Sequence, residues 1–529
     1  MNKIKHIIVV GGGASGWLTV SNLLFRIHQS KNIKITLIES KDIPVIGVGE
    51  STTGNIFEVI NFHNHLGGVE DFLKKTGATF KYGIHHKDWY SKNHSFISPI
   101  GSSFENQTSY PTEDYDYIRI LHVAEKMKYE TPLQNKLMLQ NKVYYINGKP
   151  NNPYKDIIGE DGYKLIHDYD TAFHIDAYKT GEYLRDYCLK TGRVKRIEDT
   201  VKDVTKNELG GIKSLKLETG YEIEADLFLD CSGFSKVLMK HMDTKFISYK
   251  DNLLTNKALL FPKKHKEKDI LKSLTTATAR KYGWTFEIPL QERMGRVYVF
   301  NGDMISEEQA ADEMREAFNE DIEFKKVIDF EPGRLDKFWN KNVIAIGLSS
   351  HFVEPLEATA IHATISQASK FLEYYFTSYL DVYDKDMQND YNEHMTSFID
   401  DIRDFIIFHY ITPRNDTNFW KEASSKDRWT EQLTRKMNIW KKRMPRQLDY
   451  HHKGRTYDIG NALWLQVGLG MEIFDSEIAK KELNYYRIYN KAKEDLKGIE
   501  RFATYMCDNA METNKYYDMI AYKEISELL

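Results

Sequence analysis

A glycine-rich turn near the start of the chain restricts the fold more than any other feature. Residues 11–16 (Gly-Gly-Gly-Ala-Ser-Gly) match the pattern G-x-G-x-x-G and stand between an apolar run at 4–10 and a segment with helical spacing at 17–27. A second apolar run at 33–38 follows and ends at Glu39. Strand, glycine turn, helix and strand in this order predict a β-α-β unit that binds a dinucleotide.

The residues of this turn have separate predicted roles in the cofactor site. Gly11 permits the tight turn, Gly13 lets the backbone approach a pyrophosphate, and Gly16 lets the helix pack closely on the strand. The N–H groups at the start of the helix, around Ala14 and Ser15, face the phosphates at the positive end of the helix dipole.

Glu39 and the later strands indicate which dinucleotide binds. Glu39 lies 23 residues beyond Gly16, where a carboxylate accepts hydrogen bonds from ribose hydroxyls. Further apolar strands with glycine turns come only at 225–233 and 342–347, so long insertions interrupt the sheet. This split arrangement favours FAD over NAD. Because there is no second G-x-G-x-x-G, we expect a separate NAD(P)H-dependent flavin reductase to supply the electrons.

Composition excludes several classes of partner. The 73 Lys and Arg residues nearly balance 77 Asp and Glu residues, for a net charge of −4, so no nucleic-acid partner is expected. No stretch approaches the ~18 apolar residues that a membrane span needs, and no membrane partner is expected. Three cysteines without a C-x-x-C pair favour a cytoplasmic location. The oligomeric state stays open, a homo-oligomer included.

The pattern along the chain predicts an α/β fold. We expect a Rossmann-like FAD-binding module of the hydroxylase type over 1–400, interleaved with a substrate-binding β-sheet from about 80–220 and 245–335. Residues 401–529 are expected to form a mainly helical C-terminal region. The stretch from 80 to 173 is rich in Tyr, Asn and His with poor periodicity, which suggests loops and short strands over a cleft.

Six short segments carry a second, independent pattern. They are I-G-V-G-E-S-T at 46–52, T-F-K-Y-G-I at 79–84, D-C-S-G-F at 230–234, G-W-T-F-E-I-P-L at 283–290, G-L-S-S-H-F-V-E-P-L-E-A-T at 347–359, and R-D-F at 403–405 followed by H-Y at 409–410, Arg414 and F-W at 419–420. In this order they resemble the flavin-dependent halogenases of the tryptophan halogenase family. The resemblance covers about residues 4–420, and the last hundred residues match only loosely.

This resemblance implies a reaction and two catalytic residues. Reduced FAD (FADH2), oxygen and a halide ion (chloride, bromide or iodide) form hypohalous acid, which is guided to a small, electron-rich aromatic substrate. Lys81 is implied to receive the oxidant, through a hydrogen bond or as a haloamine. Glu357 is implied to stabilise the cationic ring, to accept its proton, or to polarise the oxidant with Lys81.

The resemblance also assigns the other residues of the site. They are Gly49, Glu50, Ser51 and Gly347 for the flavin, Thr359 and Ala360 for the halide, and Trp284, Phe286 and Pro289 for keeping the substrate away from the flavin. The backbone N–H groups of Thr359 and Ala360 at a helix N-terminus suit an anion.

The sequence departs from the family pattern at four points. Phe286 replaces the second Trp of W-x-W-x-I-P, Ala358 replaces the usual Ser, and Ala360 stands where many members have a small residue, often Gly. The C-terminal contacts to free tryptophan are not evident. We therefore expect larger or more varied indoles and phenols as substrates. A loose choice of halide is also expected, because bromide and iodide are easier to oxidise than chloride.

Two other functions remain open at this point. A flavin-dependent aromatic monooxygenase or hydroxylase would give a product that carries oxygen, whereas a non-catalytic flavin-binding interaction protein would not need Lys81 and Glu357. No metal site is predicted, because the histidine pairs at 63/65, 85/86 and 451/452 have no accompanying thiol or carboxylate cluster.

Overall fold

The computed structural model describes residues 4–27, 32–41, 47, 49–100, 115–130, 132–144, 171–266, 269–452, 455–456 and 460–528. The chain forms two compact units. The first unit comprises 1–77, 175–249 and 331–400, and the second comprises 78–174, 250–330 and 401–529.

Both units mix helices and strands. The described helices are α1 (Ala14–Arg26), α2 (Asn55–Phe62), α3 (Gly68–Thr76), α4 (Tyr117–Glu125), α5 (Leu133–Gln140), α6 (Ala177–Lys190), α7 (Glu307–Phe318), α8 (Thr359–Lys370), α9 (Lys385–His409), α10 (Asn418–Ala423), α11 (Glu431–Trp440), α12 (Asn461–Gly470), α13 (Ser476–Tyr485), α14 (Tyr489–Asn509) and α15 (Thr513–Leu528). The described strands are β1 (His6–Val10), β2 (Lys34–Glu39), β3 (Glu50–Ser51), β4 (Thr79–Lys81), β5 (Gly83–Lys87), β6 (Ser95–Pro99), β7 (Lys142–Val143), β8 (Ala172–Ile175), β9 (Val194–Glu198), β10 (Val201–Lys206), β11 (Ile212–Leu217), β12 (Glu222–Glu224), β13 (Leu227–Asp230), β14 (Phe246–Ser248), β15 (Lys257–Leu260), β16 (Lys263–Lys264), β17 (Thr275–Arg280), β18 (Gly283–Pro289), β19 (Arg293–Phe300), β20 (Lys326–Asp329), β21 (Gly333–Leu335), β22 (Trp339–Asn340), β23 (Val343–Ala345), β24 (His351–Phe352), β25 (His451–His452), β26 (Arg455–Thr456) and β27 (Met511–Glu512).

The first unit is built on a mostly parallel sheet. Its strand order is β22-β23-β13-β1-β2-β9, and only β22 runs antiparallel to its neighbour. Ile8 and Val10 face a core that they share with Leu215 of β11, whereas α1 packs against α6 and α8. Both faces of the sheet are thus covered, which explains why residues 7–10 of β1 are all apolar.

The second unit contains a larger and mostly antiparallel sheet. Its strand order is β20-β15-β19-β18-β17-β5-β6, and β5 pairs with β17 in parallel. Helix α7 packs on β15 and β19, where Met314 joins Leu259 and Phe300 in a second core. Beside this sheet, β4 and β8 form an antiparallel pair.

The predicted α/β fold is confirmed, including the return of distant segments to the first sheet. Strand β13 pairs with β1, and β23 pairs with β13, although more than two hundred residues of sequence separate β1 from both. Residues 175–220, which we expected among the inserted segments, belong to the first unit, because β9 pairs in parallel with β2. Residues 401–529 are mainly helical and share the second unit with 78–174 and 250–330.

The stretch from 80 to 173 contains more regular structure than its composition suggested. In addition to short strands it holds α4 and α5. Part of it, 101–114, 131 and 145–170, lies outside the described residues. Among the described helices, none is both long and apolar enough to cross a membrane. Cys188, Cys231 and Cys507 are each buried and free.

Candidate functional site

The glycine turn lies in the first unit at the carboxyl end of β1. Gly11 has a φ of +114°, and a Cβ atom on it would lie 2.3 Å from the carbonyl oxygen of Cys231. A Cβ atom on Gly16 would lie 1.8 Å from the carbonyl oxygen of Gly11, so α1 packs directly on the turn. A Cβ atom on Gly13 would meet no atom within 4 Å. The turn is therefore closed at Gly11 and Gly16 and open at Gly13.

The start of α1 is suited to an anion. Gly13 is the N-cap residue and provides no side-chain cap, and the first turn, which begins with Ala14 and Ser15, contains no acidic residue. The positive end of the helix dipole thus lies next to the open position at Gly13.

Glu39 ends β2 beside the same turn. Its carboxylate accepts a hydrogen bond from Nε of Arg196, and its side chain is 13% exposed. A Cβ atom on Gly12 would lie 1.5 Å from Oε2 of Glu39, so the absence of a side chain at Gly12 makes room for this carboxylate.

Gly347 brings the loop after β23 against the turn. It has a φ of +69°, and its N–H group donates to Oε1 of Gln367 over 2.9 Å. A Cβ atom there would lie 2.9 Å from Oγ of Ser15 and 3.0 Å from Oγ1 of Thr364. The first turn of α1, Gly347 and helix α8 therefore meet in one place.

The I-G-V-G-E-S-T segment at 46–52 is described in part, at residue 47 and from 49 onward. Gly49 has a φ of +135°, and Glu50 and Ser51 form β3. Desolvation raises the pKa of Glu50 from 4.5 to about 7. A carboxyl group here can exist in its neutral form at physiological pH.

Glu357 lies in a tight turn that leads into α8. Residues 355–357 form a single 3₁₀ turn, and the Glu357 side chain is buried. Ala358 follows with a φ of +59°, a left-handed conformation that alanine adopts only with strain. Helix α8 then begins at Thr359, with Ala360 next, and it has neither a side-chain cap nor an acidic residue in its first turn. Its N-terminus is therefore suited to a small anion.

Lys81 lies in the second unit at the end of β4 and is 1% exposed. The backbone of its neighbours is held from two sides. The N–H group of Phe80 donates to the hydroxyl of Tyr517 over 2.7 Å, and the N–H group of Tyr82 donates to the carbonyl of Ser273 over 2.8 Å. A lysine is seldom buried to this degree without a chemical reason.

The aromatic pair of the W-x-F-x-I-P segment lies on β18, also in the second unit. Trp284 and Phe286 share one face of the strand, and their ring centroids are 5.6 Å apart. Trp284 is fully buried, and its ring centroid lies 6.1 Å from that of Trp89, while Phe286 is partly exposed. Pro289 ends the strand, and its carbonyl accepts a hydrogen bond from Oγ1 of Thr79 over 2.5 Å.

The histidine pair at 63 and 65 has structural partners in the first unit. Both rings hydrogen bond with the Ser21 hydroxyl, at 2.9 and 3.0 Å. Burial lowers the pKa of His63 to about 3 and that of His65 to about 4. The side chains of His451 and His452 lie outside the described residues.

The first unit fits FAD by the tests that its own atoms provide. The backbone at Gly13 is open, the start of α1 has no side-chain cap, and Glu39 stands at the end of the adjacent strand, which are the groups that a pyrophosphate and a ribose require.

The sequence did not indicate two residues that hold the Lys81 strand. Tyr517 is 437 residues from Phe80 in the chain, and His174 is 95 residues from Thr79. Only the register of β4 and the position of α15 bring them there, and no motif surrounds either one.

Comparison with known proteins yields one family. Residues 6–481 match the family model described as tryptophan halogenase. The tryptophan 7-halogenase RebH of Lentzea aerocolonigenes is 30% identical over 456 residues, which are 83% of this chain and 82% of that protein.

Solved structures agree with this match. BrvH, a flavin-dependent halogenase from a Brevundimonas species, superposes with a TM-score of 0.81 and 26% identity, covering 98% of this chain and 99% of that one. A tryptophan halogenase from Shewanella frigidimarina superposes with a TM-score of 0.86, and the match covers 98% of both chains. At 23% identity, the second comparison concerns the fold alone.

Proposed function

The chain belongs to the tryptophan halogenase family and is a flavin-dependent halogenase that acts on an aromatic substrate, and we propose that Lys81 and Glu357 carry its catalysis. The observation on which this rests is the burial of Lys81 on a strand whose backbone is held by Tyr517 and Ser273.

The first unit is proposed to hold FAD at the glycine turn. Gly11, Gly13 and Gly16 shape the loop, the N–H groups of Ala14 and Ser15 face the pyrophosphate, and Glu39 holds the ribose. Gly49, Glu50, Ser51 and Gly347 complete the proposed cofactor site. When bound, reduced FAD supplies hypohalous acid from oxygen and a halide ion.

Lys81 is proposed to receive this oxidant. Its ammonium group can hydrogen bond with hypohalous acid, and its neutral amine can capture the halogen as a haloamine. In either form, a lysine on a fixed strand directs the halogen to one carbon of the substrate ring, because catalysis depends on the orientation of the reacting atoms. Burial also keeps the oxidant away from bulk water.

Glu357 is proposed to stabilise the charged ring of the reacting substrate, and the start of α8 is proposed to bind the halide ion. The Glu357 carboxylate stabilises the cationic ring that halogen attack creates, and it accepts the ring proton when aromaticity returns. The N–H groups of Thr359 and Ala360 hold the halide at the uncapped helix terminus. Trp284, Phe286 and Pro289 keep the aromatic substrate apart from the flavin.

The substrate is proposed to be an electron-rich aromatic, an indole or a phenol, and the enzyme is proposed to accept larger or more varied rings than the tryptophan-specific members of the family. Phe286 replaces a tryptophan of the family pattern, and the C-terminal contacts to free tryptophan are not evident. A pocket without specific polar demands separates related aromatics by only ~1–3 kcal/mol per methylene-sized difference. We further propose a cytoplasmic location, which free cysteines favour, and a separate flavin reductase as partner.

Replacement of Lys81 tests the proposal. Lys81→Ala should lower the halogenated product at least 100-fold, while FAD affinity and oxygen consumption change less than twofold, because the lysine acts after the oxidant has formed. Mass spectrometry of the product and an oxygen electrode measure the two quantities. Lys87→Ala, on the neighbouring β5 and partly exposed, is the matched control and should retain full product yield.

Two outcomes would contradict the proposal. Product yield from Lys81→Ala within twofold of the parent would remove the lysine from the mechanism. A product that carries oxygen in place of halogen would favour the monooxygenase alternative.

A further inference from the structure

The register of β4 and β8 places a histidine on the same face as Lys81. Thr79 lies opposite His174, and Lys81 lies opposite Ala172. Since residues two apart in a strand share a face, Thr79, Lys81, Ala172 and His174 all project to one side. The methyl group of Ala172 leaves room directly across from Lys81, and His174 is its diagonal neighbour.

His174 is fully buried within a chain of three hydrogen bonds. Its Nδ1 atom lies 3.0 Å from Oγ1 of Thr79, and its Nε2 atom lies 2.9 Å from Oγ1 of Thr275. Oγ1 of Thr79 donates its proton to the carbonyl of Pro289 over 2.5 Å. Because a threonine hydroxyl has a single proton, Thr79 must accept a hydrogen bond from Nδ1–H of His174.

This chain fixes the protonation of the imidazole. With its proton on Nδ1, a neutral His174 has a lone pair on Nε2, which accepts from the Thr275 hydroxyl. Burial lowers the pKa of His174 well below its usual value, and the positive charge of Lys81 lowers it further. The imidazole is therefore neutral near pH 7 and adds no second cation beside Lys81.

The hydrogen-bonded chain also joins two separate parts of the second unit. Thr79 is two residues before Lys81 on β4, and Pro289 ends the strand that carries Trp284 and Phe286. Loss of the imidazole would remove the hydrogen bond that the Thr79 hydroxyl accepts from Nδ1–H and would leave that hydroxyl with the bond that it donates to Pro289.

We propose that His174 is a positioning residue for Lys81. Through its hydrogen bonds to Thr79 and Thr275, His174 helps to hold β4 against the end of β18. As a neutral imidazole, it also keeps the face beside the lysine free of a second charge. This inference rests on the proposed role of Lys81. We expect this positioning to make the capture of the oxidant by Lys81 efficient. If the hydrogen bonds of His174 are lost, the oxidant escapes before the halogen reaches the aromatic ring.

The test measures halogenated product formed per oxygen consumed. His174→Leu keeps the bulk of the side chain and removes both hydrogen bonds, and it should lower this ratio at least tenfold. Hypohalous acid detected by an added soluble trap should rise correspondingly, and the KM for the aromatic substrate should change less than twofold. His174→Asn, whose amide can donate to Thr79, should return the ratio to within threefold of the parent. A merely structural role would instead lower oxygen consumption and product together.

A second pair of variants leaves the imidazole in place. Thr275→Val removes the hydroxyl that donates to Nε2, and it should lower the ratio about threefold or more. Thr276→Val makes the same change on the opposite face of β17 and should leave the ratio unaltered. If His174→Leu does not fold, as judged by thermal unfolding, this pair decides the question.

Equal ratios for Thr275→Val, Thr276→Val and the parent would overturn the inference, as would a ratio for folded His174→Leu within twofold of the parent. Lys81→Ala in the same assay separates the two proposals. Loss of product in Lys81→Ala with normal ratios in the His174 and Thr275 variants rejects only the positioning role. Retained product in Lys81→Ala rejects the proposed function itself.

Discussion

Glu50 shows how burial can change the charge of a single side chain in this protein. Its folded-state pKa of about 7 exceeds the ordinary value of 4.5 because of desolvation. Between these two values the folded protein retains a proton that the unfolded chain has released. The free energy of unfolding therefore falls as the pH rises through this range, and it levels off above about pH 7.

Glu50→Gln should remove this pH dependence. The variant should gain stability relative to the parent as the pH rises from 5 to 8, by at most about 3 kcal/mol, because the amide has no charge to bury. Urea unfolding of the flavin-free proteins at both pH values measures the difference. Glu208→Gln, an exposed site in the same unit, should show no such gain, and an identical response of both variants would contradict the assignment to Glu50.

At the level of the element, two glycines of the turn at 11–16 have different roles: Gly16 is needed for packing within the protein, and Gly13 leaves space for a ligand. A methyl group at position 16 would strike the backbone of the turn at 1.8 Å, whereas one at position 13 would meet nothing in the protein. The two positions therefore predict different consequences of the same alanine substitution.

Gly16→Ala should lower the stability of the flavin-free protein and abolish FAD binding, since the backbone must move to admit the methyl group. Gly13→Ala should leave the stability of the flavin-free protein within about 0.5 kcal/mol and still weaken FAD binding at least tenfold, because the methyl group occupies the space for the pyrophosphate. Thermal unfolding and flavin fluorescence titration measure the two effects. Unchanged FAD affinity in Gly13→Ala would place the cofactor elsewhere.

The elements that could be predicted from the sequence are those with apolar runs and glycine turns. Strands β1, β2, β13 and β23 are of this kind. Helices α4 and α5 could not be predicted, because buried polar side chains disguise their periodicity. Those side chains are Arg119, His122, Gln134 and Asn135, each at most 2% exposed. Arg119 has an ion pair with Asp116, and Nδ1 of His122 bonds with the carbonyl of Ile118, so burial depends on partners that a hydrophobicity pattern does not reveal.

The residues of the candidate site are likewise of two kinds, those that a motif in the sequence indicates and those that no motif indicates. Lys81 and Glu357 lie in recognisable motifs, whereas the groups that hold the Lys81 strand depend on strand register and on a helix at the far end of the chain. Tyr517 of α15 is the clearest case, since its hydroxyl accepts from the buried N–H group of Phe80.

Tyr517→Phe should therefore impair the site through the strand. The Phe80 N–H group would lose its partner, which costs about 1–3 kcal/mol in a buried position, and product formation should fall with it. Thermal unfolding and product yield measure both. Tyr485→Phe removes the hydroxyl of a tyrosine that is 81% exposed and should change neither, and equal behaviour of the two variants would reject the role of α15.

At the scale of the whole molecule, the inserted segments and the single glycine turn bear on how the flavin is reduced. The first sheet is completed by strands from 227–230 and 343–345, and the intervening residues build the second unit or return to the first. The inserted segments therefore supply β18, which carries Trp284 and Phe286, and β4, which carries Lys81. The sequence contains a single G-x-G-x-x-G turn, at 11–16.

The purified chain should consequently bind FAD but accept hydride from NADH or NADPH slowly. A nicotinamide needs a dinucleotide site of its own beside the flavin, and the glycine turn that would signal one occurs only once. Anaerobic mixing of the FAD-loaded protein with NADH, followed at the flavin absorbance band, should show bleaching at least 100-fold slower than with a catalytic amount of added flavin reductase. The matched control is free FAD with the same reductase, which should bleach rapidly with or without the chain. Bleaching by NADH alone at the rate of product formation would show that the chain reduces its own flavin, and the requirement for a partner reductase would then be wrong.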